Sequence, residues 1–451
     1  MDLILQNPYI AGNPIKSEPG FYGREDVFRE VQRLLNNSNE NALVLYGQRR
    51  IGKTSILLQL QRRLQEDGAH TPIYFDLQYH TEKPLEDVLY ELAKHLGEVA
   101  NVSVPTKLEL DKTGEYFRKE FLPQVVAARK NWVLLFDEFD VLDASKEEKK
   151  EAANSFLPYL NQWRDGFPEI KFIFVMGRKP EDLSLEFLSV LKSVRNYRVS
   201  VLSHDQTEEL IRMSERNETL NWGGDAVNKV WDWTQGNPYF TQLVCRTVWD
   251  GAYDQNPAQV PKVEAGDVDM AIPGTIEQGA HAFEWIWQGW PPAEKIVMSA
   301  MSPNYDRPIS EQQLEKTLIE SGVRIIIHEL EDAPQKLCQW EIIKEVKEGY
   351  RLFVPLLGRW IADNKPLTRV KTELDRINPR AERFYQLGVD FYEQDDLEEA
   401  RNFLIRSHSV NPNHLKAMVL LGQIYLEEQQ SQKAIEILER AYKYHPGRSR
   451  N

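Results

Sequence analysis

One stretch constrains the fold of this chain more than any other, because it combines a buried strand, a glycine-containing loop and the start of a helix. Residues 43–56 read Leu-Val-Leu-Tyr-Gly-Gln-Arg-Arg-Ile-Gly-Lys-Thr-Ser-Ile and match the pattern G-x-x-x-x-G-K-[ST]. The two glycines let the backbone bend so that successive N–H groups point at phosphate oxygens. The apolar run 42–46 before the loop and the leucines at helical spacing after it indicate a strand and a helix. The stretch therefore predicts a phosphate-binding loop.

Individual residues of the loop have distinct predicted roles. Lys53 is expected to reach the β and γ phosphates of a nucleotide, and the Thr54 hydroxyl to bind Mg²⁺. Arg49 and Arg50 have three open roles: pairing with acids at the sheet edge, contacting the nucleotide, or meeting a neighbouring subunit. The predicted nucleotide-binding residues of the loop are Gly47, Gln48, Arg49, Arg50, Ile51, Gly52, Lys53, Thr54 and Ser55.

Further apolar runs predict the rest of an α/β domain. Strands are expected at 72–77, 131–136, 171–176 and 197–202, with helices between them. Strands that alternate with helices form a parallel sheet covered on both faces. The fold class predicted for this part is an α/β P-loop NTPase domain, in which an additional strand lies between the loop strand and the strand that ends in acidic residues.

Charged residues follow the ends of two of these strands, at the edge where α/β sheets bind ligands. Asp137 is predicted to hold Mg²⁺, and Glu138 to take a proton from the water that attacks the γ phosphate. Arg178 is expected to contact the γ phosphate and so to distinguish ATP from ADP. Asp140 and Asp143 are interpreted as serving a helix start rather than catalysis.

Helices dominate the sequence beyond residue 204. Helices near 206–216, 224–234 and 239–253, with a break at Gly-Asn-Pro, predict a helical lid. A tryptophan-rich stretch at 282–290 is interpreted as core packing. Three short helices and a β wing then indicate a winged-helix unit, and a charged linker helix is predicted after it. The helices are expected at 292–302, 309–321 and 337–344, the strand at 347–353 and the linker helix at 366–377.

The last part of the chain is repetitive. Matching residues recur thirty-four positions apart, which is the period of a tetratricopeptide helix pair, and predict two repeats at 381–414 and 415–448. The apolar positions of the last helix are expected to have no partner further along the chain. They should either pack back on the linker helix or dock onto another protein or another copy of this chain. These positions are Ile435, Leu438 and Tyr442, with Ile437 as a further candidate.

Composition limits the possible classes of protein. The length of 451 residues suggests about three domains. With 69 acidic and 55 basic side chains the net charge is −14, which disfavours a broad surface for duplex nucleic acid but leaves room for a local basic patch. Cys245 and Cys338 are far apart, which fits a reducing compartment and argues against a thiolate metal site. No leader peptide or long apolar segment is recognisable, so we expect a soluble cytoplasmic protein.

Taken together, these motifs resemble the STAND class of signal-transduction ATPases, AAA-related P-loop proteins that are similar to archaeal ATPases. The resemblance rests on residues 23–25 (Gly-Arg-Glu), the loop, the acidic strand end 137–140, Arg178, 236–240 (Gly-Asn-Pro-Tyr-Phe), the winged helix and the repeats. It implies ATP or ADP with Mg²⁺ as ligands, Arg24 near the base and ribose, and Pro238 touching the nucleotide from the lid. It also implies that the winged helix locks the ADP state and that the repeats sense a ligand.

The sequence departs from that class in two respects. The winged-helix histidine that contacts ADP in some relatives has no counterpart near 351–355. We therefore expect the winged helix either to lock the ADP state through Arg351 or not to lock it. We also expect no separate effector domain at either end. The predicted division is 1–203 for the ATPase core with its entry segment, 204–280 for the lid, 281–365 for the winged helix, 366–380 for the linker helix and 381–451 for the repeats.

Three functional hypotheses follow. The first is a nucleotide-driven switch in signalling or defence that hydrolyses ATP slowly and couples nucleotide state to oligomerisation or to a partner. The second is a DNA-binding ATPase that regulates transcription or replication through its winged helix, with a recognition helix near 337–346; the mixed charge of that stretch argues against it. The third is a scaffold that binds nucleotide without turnover, against which the intact Lys53, Asp137 and Glu138 argue.

Overall fold

The chain forms two compact units, Met1–Thr275 and Ile276–Asn451. The computed structural model describes residues 6–16, 20–110, 112–143, 151–178, 183–184, 187–188, 191–192, 194–255, 260–321, 327–376, 379–411 and 414–444. Within this part of the chain, no helix is both long enough and apolar enough to cross a membrane.

The first unit is built on a five-stranded sheet whose strands all pair in parallel, in the order β2-β3-β4-β1-β5. The additional strand between the loop strand β1 and the acidic strand β3 is β4. The strands are β1 Ala42–Tyr46, β2 Thr71–Asp76, β3 Trp132–Asp137, β4 Lys171–Met176 and β5 Arg195–Arg198.

The fifth strand lies earlier in the chain than its prediction at 197–202. It begins at Arg195 and is assigned only to Arg198, although the Val199 N–H still donates to the Tyr46 carbonyl at 2.7 Å. Beyond that point the Leu202 N–H bonds instead to the Gly236 carbonyl, at 2.8 Å. The chain therefore leaves the sheet to meet the helices that follow it.

Helices cover both faces of this sheet, which explains why its strands are apolar throughout. Along β1, Ala42 and Val44 face one buried cluster, and Leu43 and Leu45 face the other. One face is packed by α1 Glu25–Asn36 and α2 Lys53–Asp67, and the other by α3 Leu85–Ala100, a π-helical turn Phe117–Phe121 with α4 Leu122–Ala128, and α5 Glu151–Gly166.

A helical segment follows the sheet within the first unit. Its first helix begins with a capping box, in which the side chains of Ser203 and Gln206 each accept a hydrogen bond from the other residue's backbone N–H. Two short parallel strands in this segment have no counterpart in the sequence prediction. The elements are α6 His204–Ile211, α7 Met213–Arg216, β6 Asn221–Trp222, α8 Gly224–Thr234, α9 Pro238–Gln255, β7 Lys262–Val263 and α10 Ala265–Gln278.

Residues 6–16 form an ordered entry segment that joins the phosphate-loop helix to this helical segment. Tyr9 is 3% exposed, and its hydroxyl group bonds to Ser214 Oγ at 2.8 Å. The Ile10 N–H donates to Gln242 Oε1 at 3.1 Å, and the Ile15 N–H donates to Ser55 Oγ at 2.9 Å. One short piece of chain therefore contacts both parts of the unit.

The second unit begins with helices and an antiparallel hairpin. The backbone N–H and carbonyl of Ile309 pair with those of Tyr350 at 2.8 Å, adding a bridge to the hairpin edge. The elements are α11 Ala280–Gln288, α12 Pro292–Met301, α13 Glu311–Glu320, α14 Ile327–Gln339, β8 Ile343–Val346, β9 Gly349–Leu352, α15 Pro355–Asn364 and α16 Leu367–Arg376.

The prediction of a helix at 337–344 is wrong, and with it the prediction of a recognition helix near 337–346. Helix α14 ends at Gln339, and Glu341 adopts a left-handed backbone with φ 56°, which stops the helix. Ile343 is buried and pairs with Leu352. The residues from Ile343 onward therefore form a strand, whose pairing with β9 outweighs their helical pattern.

Four helices complete the chain in the pattern of two helix pairs. Cβ atoms at the positions of Gly388 and Gly422, which are thirty-four residues apart, would lie 2.8 and 2.6 Å from atoms of Leu404 and Leu438. The equivalent close contacts confirm the repeat. The helices are α17 Pro379–Glu393, α18 Leu397–Val410, α19 Leu415–Glu427 and α20 Ser431–Tyr444.

The expected apolar face of the last helix needs correction. Leu438 does have a partner, because it is partly buried in the repeat core against Gly422, and Ile437 is only 9% exposed. Ile435 is 50% exposed, as expected of an outward position. The side chain of Tyr442 lies outside the described residues.

Candidate functional site

The loop after β1 bends sharply at its glycines. The Gly47 N–H donates to the Met176 carbonyl at 3.3 Å, and a Cβ at Gly47 would lie 2.5 Å from the Val199 carbonyl oxygen. Gly52 has φ 94°, a left-handed conformation that glycine adopts without strain. These two positions therefore require glycine, and they aim the amino end of α2 at the concave side of the loop.

Lys53 lies inside the loop. Its Nζ donates to the carbonyls of Gly47 at 3.0 Å and Gln48 at 2.8 Å, and the residue is 7% exposed. Burial lowers the pKa of Lys53, while the charges of Glu138, Asp140 and Asp137 act in the opposite direction. The ammonium group is thus held among loop carbonyls, at the place where phosphate oxygens would offer stronger, charged acceptors.

Asp137, the last residue of β3, faces the start of α2. Its carboxylate accepts hydrogen bonds from Tyr74 Oη at 3.0 Å and from the Glu138 N–H at 3.0 Å, and the nearby Thr54 side chain acts to lower its pKa. Asp137 is 2% exposed, and burial raises its pKa against the effect of these hydrogen bonds. A buried carboxylate beside a hydroxyl is the ligand set that Mg²⁺ prefers, so the pair fits this cation.

Glu138 follows directly at the strand end in a left-handed conformation with φ 50°. Burial raises the pKa of Glu138, and the neighbouring Lys53 charge opposes that rise. A non-glycine residue in this backbone region is uncommon and is typical of functional sites. The turn places a half-buried carboxyl group close to the charge of the loop lysine.

Arg178, two residues after β4, is held by acidic residues. Its Nη1 lies 2.9 Å from Asp143 Oδ2, its Nε lies 3.4 Å from Asp140 Oδ2, and its Nη2 donates to the Asp140 carbonyl at 2.6 Å. The predicted helix start is not what these residues serve: Asp140 lies in the first turn of a short 3-10 helix, Phe139–Leu142, Asp143 follows the end of that helix, and both side chains bind Arg178.

Arg24 reaches the loop from the start of α1. Its Nη2 donates to the Ile51 carbonyl at 2.8 Å, and its Nη1 donates to the Ser200 carbonyl. The residue is 5% exposed. Arg24 thus supports the backbone of the loop at Ile51.

The two arginines within the loop have different surroundings. Burial lowers the pKa of Arg49, and the charges of Glu138 and Asp140 oppose this, so Arg49 faces the acids of the sheet edge. Arg50 donates to the Gly12 carbonyl at 3.0 Å and lies over the Tyr239 ring at 5.1 Å. Arg50 therefore contacts the entry segment and the helical segment of its own unit.

The Gly-Asn-Pro break brings the helical segment to the loop. Gly236 has φ 76°, and a Cβ there would lie 2.2 Å from the Leu202 carbonyl oxygen. Asn237 Oδ1 accepts hydrogen bonds from the Tyr239 and Phe240 N–H groups at 3.1 Å, which caps α9. Pro238 then starts the helix, 3.9 Å from the Cβ position of Gly52.

Sequence reasoning placed Ser55 among the nucleotide-binding residues. In the structure Ser55 is 8% exposed and accepts the Ile15 N–H, so it ties the entry segment to α2. Tyr74 was missed altogether. Its signal in the sequence is a polar hydroxyl three residues before the end of the strand predicted at 72–77, near the edge that also carries Asp137.

Two protein-family models match parts of this chain. Residues 21–244 match the model of an ATPase domain predominantly from Archaea, and residues 391–450 match that of a tetratricopeptide repeat. No curated protein matches the chain.

Solved structures also resemble it. The Walker-type ATPase of Pyrococcus abyssi is 16% identical with a TM-score of 0.56, over 77% of this chain and 98% of that one. The RuvB Holliday junction branch migration motor of Thermotoga maritima is 13% identical with a TM-score of 0.41, over 75% and 94%. The Orc1 protein of Aeropyrum pernix, in complex with DNA, is 15% identical with a TM-score of 0.40, over 78% and 94%.

The first of these likenesses shows the fold, and the two matched models locate its functional parts. This chain contains an archaeal-type P-loop ATPase domain and a C-terminal tetratricopeptide repeat region.

Proposed function

We propose that this protein is an ATP-driven switch of the STAND type, which binds ATP with Mg²⁺, hydrolyses it slowly and passes its nucleotide state to a partner through the repeats. The observation that carries this proposal is the convergence of Lys53, Asp137, Glu138 and Pro238 on one loop. Pro238 belongs to the helical segment, whereas the other three residues lie at the edge of the sheet and in the phosphate loop next to it, so one nucleotide would contact both parts.

Each residue has a defined part in hydrolysis. Lys53 exchanges its carbonyl partners for β and γ phosphate oxygens, and Arg178 contacts the γ phosphate. Glu138 accepts a proton from the attacking water. Thr54 and Asp137 hold Mg²⁺, which, when bound, neutralises charge that develops on the phosphates.

Switching requires that ATP and ADP bind two conformations with different affinities. The sheet and the helical segment meet at Gly52 and Pro238, and the entry segment joins them a second time through Ile15 and Ile10. A ligand that contacts both sides favours the arrangement in which both contacts are made. We therefore expect ATP to favour a state in which Pro238 and Arg178 both contact the nucleotide.

The proposed output lies in the second unit. We assign a winged-helix domain to residues 281–365, because helices within this range precede an antiparallel hairpin bridged by Ile309. The tetratricopeptide helices pack in register through Gly388 and Gly422, and such arrays commonly bind protein segments. The domain boundaries near 203, 280, 365 and 380 remain part of this proposal.

A DNA-binding ATPase is the second candidate, because two exposed basic residues, Lys344 and Arg351, lie opposite each other on the hairpin. Lys344, Lys347 and Arg351 lie there, but Glu345 and Glu348 share the same hairpin, so the local charge is close to balanced. Duplex binding that persists at moderate salt and depends on sequence would support this candidate.

Particle mass in solution tests the switch directly. We expect sedimentation to differ between the protein with Mg-ADP and the protein with a non-hydrolysable ATP analogue, and Lys53→Ala to abolish the difference. If the particle mass is the same with both nucleotides, and titration confirms that each of them binds, then the nucleotide state is not coupled to self-association. A pull-down with each nucleotide would then test for a partner protein.

A further inference from the structure

The Arg178 guanidinium is fully engaged within the sheet edge, although 42% of its side chain is exposed. Each of its three nitrogens has an acidic-residue partner. Nε pairs with the Asp140 carboxylate at 3.4 Å, Nη1 with the Asp143 carboxylate at 2.9 Å, and Nη2 with the Asp140 carbonyl at 2.6 Å. We call Asp140 and Asp143 the acidic clamp.

The clamp is fixed by the backbone around it. Asp140 Oδ1 accepts the Gly177 N–H at 3.0 Å, and Asp143 Oδ1 accepts the Ser184 N–H at 3.2 Å. Asp140 is 8% exposed and Asp143 is 9% exposed. The carboxylates therefore occupy set positions, whereas the half-exposed arginine is the partner that can move.

We propose that the acidic clamp sets how strongly this protein distinguishes ATP from ADP, with Asp143 as a specificity-determining residue that competes with the γ phosphate for Arg178. The proposal rests on the proposed function, in which Arg178 contacts that phosphate. ATP gains this contact only by replacing a carboxylate that already holds the guanidinium. ADP lacks the γ phosphate and leaves the clamp closed.

The direction of the effect follows from this competition. A bidentate contact between guanidinium and phosphate is strong, but the net gain equals its energy minus that of the ion pair it replaces. Removing the Asp143 charge weakens the closed clamp and leaves the phosphate contact intact. Asp143→Asn retains an oxygen that can accept the Ser184 N–H, so the local backbone keeps its support.

Asp143 is a better test position than Asp140. Asp140 also raises the pKa of Lys53 and of Glu138, so a change there alters the whole site. Glu30→Gln is a matched control, because Arg195 Nη1 lies 3.1 Å from Glu30 Oε2 in another arginine pair of the same sheet. Arg195 begins β5, whereas Arg178 follows the end of β4. The control pair therefore lies at the amino ends of the parallel strands, and the acidic clamp lies at their carboxyl ends.

The experiment measures equilibrium affinity for ATP and ADP, each with Mg²⁺, in the full chain. We expect Asp143→Asn to bind ATP about fivefold more tightly than the parent, as for the loss of a partly exposed ion pair, with ADP affinity unchanged. Glu30→Gln should change neither affinity. In an Arg178→Ala background, Asp143→Asn should have no effect on ATP affinity.

Unchanged or weaker ATP binding by a folded Asp143→Asn variant would overturn the proposal, since the clamp would then orient Arg178 or have no bearing on it. An equal increase in affinity for ATP and for ADP would overturn the proposal as well. Parent protein that binds neither nucleotide would instead refute the proposed function. Melting temperatures of all variants separate these outcomes from a loss of folding; if Asp143→Asn fails to fold, Asp143→Ser provides the same comparison.

Discussion

At the scale of single residues, the site depends on charges that compensate one another in a buried setting. Burial lowers the pKa of Lys53 and raises that of Glu138, yet each residue opposes the shift of the other. An unpaired buried charge is costly, so the ammonium and the carboxylate each offset part of the cost of burying the other. Changing either one is therefore informative about both binding and turnover.

Replacing Lys53 by alanine should abolish tight ATP binding. The phosphates lose the cation that lies among the loop carbonyls, and we expect affinity to fall by at least about thirtyfold in equilibrium titration. Lys171→Ala is a suitable control, because Lys171 also donates to backbone carbonyls but lies at the start of β4, away from the loop. ATP binding by Lys53→Ala at the parent affinity would refute the assignment of the loop.

Glu138→Gln separates binding from catalysis. The amide keeps the size of the side chain but cannot accept the proton, so we expect ATP to bind and turnover to fall about a hundredfold. Single-turnover assays should show bound ATP accumulating in this variant. Hydrolysis at the parent rate would show that Glu138 is not the base.

At the scale of elements, the entry segment is the feature that holds the phosphate-loop helix and the helical segment together. Its inner end bonds to Ser55, and Gln59 Nε2 donates to the Ile15 carbonyl at 3.4 Å. Its outer end carries Tyr9, whose hydroxyl group bonds to Ser214, accepts the Trp222 indole N–H at 3.0 Å and donates to the Ile211 carbonyl. Polar groups buried in such a network must all be paired.

Tyr9→Phe removes this hydroxyl and leaves a buried carbonyl without its partner. We expect the free energy of unfolding of the first unit to fall by about 1–2 kcal/mol, measured by urea denaturation. Tyr79→Phe is the control, since Tyr79 is 74% exposed and its hydroxyl group should contribute less than about 0.5 kcal/mol. Equal stability of the two variants would show that the Tyr9 network does not hold the entry segment in place.

At the scale of the whole molecule, the chain divides into an ATPase unit and a helical unit that ends in the repeats. The repeat core contains Leu438, so the last helix is fixed to its neighbour, and Ile435 remains as a half-exposed apolar position. Variants of these two residues therefore test different properties, surface docking in one case and folding of the repeats in the other.

Ile435→Asp should weaken association about tenfold without changing ATP affinity, if this outer position docks on a second copy of the chain. Leu438→Asp should instead unfold the repeat helices, because it buries a charge against Gly422. Sedimentation with a non-hydrolysable ATP analogue and circular dichroism distinguish the two effects. Unchanged sedimentation of Ile435→Asp would remove this position from any self-association surface.

The sequence by itself determined the features that are encoded within a short stretch or by a period. The loop 47–55 and the strand β3 could be predicted because glycine placement and continuous apolar runs act locally on the backbone. The thirty-four-residue period likewise predicted the four repeat helices. The position of Asp137 and Glu138 at the sheet edge could be predicted because parallel strands present their carboxyl ends at one edge of the sheet.

Only the tertiary structure decided which side chains meet. The clamp on Arg178 joins residues 35 and 38 positions apart in the chain, and Tyr9 meets Ser214 and Trp222, so no local pattern reports these contacts. The helix expected past Gln339 gave way to a strand because pairing of Ile343 with Leu352 and the left-handed Glu341 outweigh helical spacing. Short-range preferences are worth tenths of a kcal/mol per residue, and packing between distant segments contributes more than that wherever the two disagree.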